Sequence, residues 1–70
     1  MPAFGPELTR VMRCALEEAM TVVPAEYSTP AMKAHLAECI LKAAAQGHTT
    51  YSELVGAASA QIQAVISLLT

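Results

Sequence analysis

Seventy residues make one domain at most, and a chain this short buries only roughly 60% of its unfolded surface, so its core is marginal without staples or association. Hydrophobic residues are 54% of the chain and charged residues 14%, against about 25% charged in an ordinary soluble domain. The net charge of −2, from four basic residues and six glutamates, excludes the clustered basic surface that nucleic acids or anionic membranes require.

Cys14 and Cys39 do not make a disulfide framework. The opening Met-Pro-Ala-Phe-Gly-Pro has neither the basic nor the apolar region of a signal peptide. Gln61, Gln63 and Ser67 break the longest apolar run, so nothing is expected to span a bilayer. The expected setting is the cytoplasm, with reduced thiols.

The first helix is predicted from Pro6 to Val22. Proline suits the first helical position, and Glu7 favours the positive end of the helix dipole. Leu8, Met12, Ala15, Ala19 and Val22 form its seam, widened by Val11, Leu16 and Met20. Arg10, Arg13, Glu17 and Thr21 face outward, with Arg13 and Glu17 spaced for an ion pair. Pro24 ends the helix, because the residue before proline is pushed out of the α region.

After a connection at Ala25-Glu26-Tyr27-Ser28, Thr29-Pro30 supplies a capping hydroxyl and a first-turn proline. The second helix is predicted from Pro30 to Gln46, closed by a left-handed Gly47. Met32, Leu36, Cys39, Ile40 and Ala43 make one stripe, and Ala37, Leu41 and Ala44 extend it. Only His35, Glu38 and Lys42 remain as a polar strip. Such a helix contacts neighbours on two sides, which predicts that it is central.

The third helix is predicted from Tyr51 to Leu69. Thr50 and Glu53 fit a capping box. Tyr51, Val55, Ala58, Ile62, Val65 and Leu69 form an apolar seam, while Gly56 and Ser59 project away from it. The seventeen residues after Glu53 carry no charge. The fold class is therefore all-α: three antiparallel helices (about 6–22, 30–46 and 51–69), up-down-up.

His35 and Cys39 lie four apart on one helix, a spacing that can put two ligands on one metal. A closed site needs two more ligands, and only His48 and Cys14 remain among the histidines and cysteines. The alternative gives Cys39 as a small hydrophobe and His35 in water. A nucleophilic Cys39 is disfavoured because an apolar mid-helix setting raises a thiol pKa. Glu17 and Glu18 are adjacent and diverge on a helix. The chain lacks Asp, a phosphate loop and a nucleophile elbow. No enzymatic activity and no cofactor are expected.

The segment from Ile40 to Leu69 looks like a helix-turn-helix, with a second turn near Gly56–Ser59. Its reading face would offer only Gln61, Gln63 and Ser67 and no cation for phosphates, so transcriptional regulation is a disfavoured alternative. Another alternative is a small-molecule groove lined by Met12, Met20, Met32, Leu36 and Tyr27. The favoured reading places a homodimer interface on the flank Ala57, Gln61, Ala64 and Leu68. These small, uncharged residues let a second helix approach without desolvating charge. The expected assembly is a six-helix homodimer, a structural or interaction module with a protein partner and neither nucleic acid nor membrane.

The stretch TPAMKAHLAECILKAAAQGHTTYSELVGAASAQIQAVISLL resembles short helical proteins of alphaproteobacterial genomes. The likeness lies in its Thr-Pro, Ala-Glu-x-Ile-Leu-Lys and Ala-Ala-Ser-x-Gln-Ile-Gln segments and extends over Pro6 to Leu69. It implies a bacterial, cytoplasmic origin and carries over no functional residue.

Overall fold

The computed structural model describes residues 5–69. Three α-helices and one 3-10 turn account for the described residues, which form no strand: α1 (Pro6–Thr21), the turn Ala25–Tyr27, α2 (Pro30–Ala45) and α3 (Tyr51–Leu69). The molecule is 19 by 18 Å across its long axis, room for three helices of about 10 Å diameter packed against one another. Met1–Phe4, the start of the segment read for a signal peptide, lie outside the described residues.

Each helix begins where the local chemistry directs. In α1, Pro6 occupies the first turn with Glu7, and Thr9 N–H donates to the Gly5 carbonyl at 3.0 Å. In α2, the Thr29 hydroxyl accepts from Met32 N–H at 3.1 Å, satisfying an otherwise orphaned donor. In α3 the predicted capping box is formed. Glu53 N–H donates to the Thr50 hydroxyl at 3.2 Å, and Thr50 N–H donates back to the Glu53 carboxylate at 3.3 Å.

The end of α2 is closed just as locally. Gly47 has φ +101°, a conformation that side chains rarely adopt. That turn lets His48 N–H reach the Ala43 carbonyl (3.0 Å) and Gly47 N–H reach Ala44 (3.1 Å). This is the double bond pattern of a Schellman motif.

Most of the buried residues recur in steps of four. Ala15, Ala19 and Val23 are buried on the α1 side, Met32, Leu36, Ile40 and Ala44 on α2, and Leu54, Ala58 and Ile62 on α3. Such i, i+4 ridges are the rows that interlock in the commonest helix packing. Small and large residues alternate: Leu36 and Leu54 and three alanines (Ala15, Ala19, Ala58) are wholly buried in one cluster.

The core differs from the expected seams in three places. In α3, Leu54 takes the central position, while Tyr51 is 44% exposed and Val55 only packs alongside. The ridge of four-residue steps starts from Leu54, whereas the alternating steps of the predicted seam start from Tyr51 at the helix edge. The Leu69 side chain, last in that seam, lies outside the described residues. At the end of α1, Val23 is buried and Val22 is 60% exposed. The helix stops at Thr21, one residue short of the predicted end at Val22. Val22 and Val23 donate to Ala19 and Met20 (3.2 and 3.3 Å), and this tighter turn swings Val23 inward.

The third difference concerns the central helix. Both α1 and α2 pack more extensively on α3 than on each other, so α3 is the hub. The apolar breadth of α2 is spent partly on solvent: Leu41 is exposed and Cys39 only half-buried.

Candidate functional site

The outer face of α3 is the least ordinary surface of the molecule. Its exposed residues beyond Glu53 are Gly56, Ala60, Gln61, Gln63, Ala64, Ser67 and Leu68, and none is charged. The predicted flank divides here: Ala57 packs against the core, whereas Gln61, Ala64 and Leu68 are exposed. Leu68 is 85% exposed, the most solvated of the large apolar side chains described. The helix runs unbroken through Gly56–Ser59, so the second turn of a helix-turn-helix is not formed.

Grooves flank this face. One, of about 430 Å³, is lined by Tyr27, Ala31, Met32, Val65 and Leu68, together with Glu26, Thr29 and His35. Another, of about 440 Å³, lies between α2 and α3 and gathers His35, Glu38, Cys39, Lys42, His48 and Gln61 among its walls. A third, of about 250 Å³, lies between α1 and α2 over Met12, Leu16, Ile40 and Leu41. The five residues expected to line a single groove are distributed otherwise. Leu36 is wholly inside the core, Met12 belongs to the α1–α2 groove, Tyr27 and Met32 to the groove beside Leu68, and Met20 packs on the core edge. The spacing could not show this, because the groove beside Leu68 is assembled from the α1–α2 connection, the start of α2 and the end of α3.

The titratable groups are arranged for structure more than for chemistry. His35 and Cys39 do share a groove. Burial pushes the Cys39 thiol above its ordinary value, and neighbouring Glu38 adds to the rise while Lys42 opposes it. The thiolate that a nucleophile or metal ligand needs is therefore disfavoured. Cys14 is free on the exposed side of α1, and Cys39 is likewise unbonded. Among the described residues no three His, Cys, Asp or Glu side chains converge on a metal position.

The pair His48–Glu53 is the one ion-pair geometry among the described residues, with His48 Nδ1 3.0 Å from Glu53 Oε2. Arg13 and Glu17 do not form the pair their spacing allows. The His48 contact first, and Thr50 second, hold the Glu53 carboxyl below its ordinary value. His48 thus touches both helix ends, its N–H closing α2 and its ring bracing the cap of α3.

Glu18 and Glu17 diverge as expected of neighbours on a helix. Glu18 instead sits against the Tyr51 phenol, whose pKa is raised by loss of solvent and then by that carboxylate. No described helix is long and apolar enough to cross a membrane. The chain matches no protein-family model, no curated protein and no solved structure.

Proposed function

We propose that the chain is a non-catalytic helical interaction module that works as a homodimer, two up-down-up protomers meeting through the exposed flank of α3. The observation that carries this reading is the outer face of α3, uncharged from Gly56 to Leu68 and ending in a leucine that is 85% exposed. Removing such a face from water desolvates no charge and gains apolar burial. Antiparallel order is supported by the short connection 46–50 between α2 and α3. It is supported too by the groove that sets Val65 and Leu68 beside Tyr27 and Met32.

The module uses no nucleic acid and no membrane. Its net charge is −2, and α3 offers no cation to phosphates. The reducing cytoplasm of a bacterium suits its two unbonded cysteines, Cys14 and Cys39.

Light scattering on the purified chain at tens of micromolar tests the dimer. A single species of 7.4 kDa overturns it. Ala64→Arg, which places a charge on the flank, should give a monomer with undiminished helical circular dichroism. A dimer that survives this change would move the interface to another face, with α2 and its exposed Leu41 next to be tested.

A further inference from the structure

Leu68 stands on the rim of the apolar groove lined by Tyr27, Ala31, Met32 and Val65, so a knob and a hole lie side by side on one face. We infer that the groove is filled by a second copy of this chain, each protomer seating its Leu68 in the groove of the other about a two-fold axis along the outer face of α3. This deepens, and rests on, the homodimer reading above.

Symmetry supplies the argument for a copy over a foreign partner. A residue on a two-fold axis meets its own counterpart, so a charge placed on the axis meets a like charge, while residues off the axis meet other residues of the partner. A foreign partner can match either sign and imposes no neutrality. The exposed residues of α3 past Glu53 meet the symmetric condition throughout. The outer faces of the other helices do not: α1 exposes Arg10, Arg13, Glu17 and Glu18, and α2 exposes Lys33, Glu38 and Lys42. The ionisable lining of the groove, Glu26 and His35, comes from outside α3.

Area indicates that the groove belongs to the contact. A standard contact takes about 800 Å² from each partner, about a sixth of the 4650 Å² surface of this molecule. The glycine, alanines and serine along the outer row are too small to anchor that much surface. Leu68 and the groove provide the anchor. A two-fold axis along α3 makes the two α3 helices run parallel, which sets Gln61 and Ala64 each near its own counterpart.

Sedimentation equilibrium of the full chain, alongside Leu68→Glu and Ala31→Arg, tests this. Ala31 is exposed at the groove mouth on α2, so its variant blocks the hole without touching α3. The expected result is a wild-type dimer that both variants weaken by about a hundredfold or more, as loss of two buried leucines predicts, with helical circular dichroism retained. Should Leu68→Glu lose its helicity, Ala31→Arg alone decides. A dimer weakened by Leu68→Glu but not by Ala31→Arg overturns the groove while leaving the α3 interface. Dimers intact in both variants overturn the inference and leave the homodimer reading standing. A monomeric wild type removes both.

Discussion

The two connections between helices differ in what they bury. Residues 46–50, between α2 and α3, are closed by local polar bonds: two backbone bonds that end α2, a reciprocal cap that begins α3, and His48 contacting both. Residues 22–29, between α1 and α2, make local bonds of the same kind, such as Tyr27 N–H to the Pro24 carbonyl at 2.8 Å, but they also bury apolar side chains, with Val23 in the core and Tyr27 half-buried over a groove. The polar closure is complete within one chain, since every group it uses finds its partner within a few residues. The apolar closure needs surface from elsewhere in the fold, and the groove beside it is lined by Tyr27, Met32, Val65 and Leu68, whereas the groove at the other connection carries Glu38, Lys42, Gln46 and His48. Of the two grooves, the apolar one beside Tyr27 is therefore the place to look for association, because filling it desolvates fewer polar groups.

The largest effect expected on this contrast comes from Val23→Asp. A charge without a partner in the core costs upwards of about 3 kcal/mol. Domains hold about 0.05–0.15 kcal/mol per residue, so a chain this short has little to spare. Loss of helical circular dichroism at ambient temperature is the expected reading, and a folded variant would show that the α1–α2 connection is not closed by burial.

Gly47→Ala comes next. An added Cβ meets nothing within 4 Å, so the cost is backbone strain at φ +101°, about 1–2 kcal/mol. A urea midpoint unchanged from wild type would remove the left-handed turn from the account of this connection.

The smallest effect is electrostatic and depends on pH. The folded-state pKa of Glu53 is lowered by His48 and Thr50. A carboxyl depressed in this way stabilises the fold above its ordinary value of 4.5 and loses that contribution as pH falls through the folded value. The difference in urea midpoint between wild type and Glu53→Gln should accordingly be present near neutrality and vanish in acid. A difference that persisted unchanged would mean that the contact with His48 contributes nothing through charge. Both side chains are about half exposed, so the effect is modest at any pH and is screened by salt.

The same contrast explains what could be read before any coordinates. Thr29-Pro30, Gly47 and the Thr50–Glu53 box were legible because each is a contract between residues at most five apart. The choice of Leu54 over Tyr51, and of Val23 over Val22, was not. Several apolar residues on each helix are eligible for the core, and the neighbouring helices select among them. The hub was misassigned for a related reason. Apolar breadth points to α2, but the edge of its stripe at Leu41 faces water, while α3 meets both neighbours along its inner ridge. At the candidate interface, the uncharged flank was visible in the sequence. The groove next to it was not, because Val65 and Leu68 lie far along the chain from Tyr27 and Met32.

The positions of the tyrosines have a spectroscopic consequence. The chain has no tryptophan and two tyrosines. Tyr27 lines the groove at the connection closed by burial, and Tyr51 begins α3 at the connection closed by polar bonds, its phenol beside Glu18. Ultraviolet emission from the unlabelled protein thus has one source at each connection. Single replacements by phenylalanine isolate either signal, so the two can be followed separately during unfolding or during assembly.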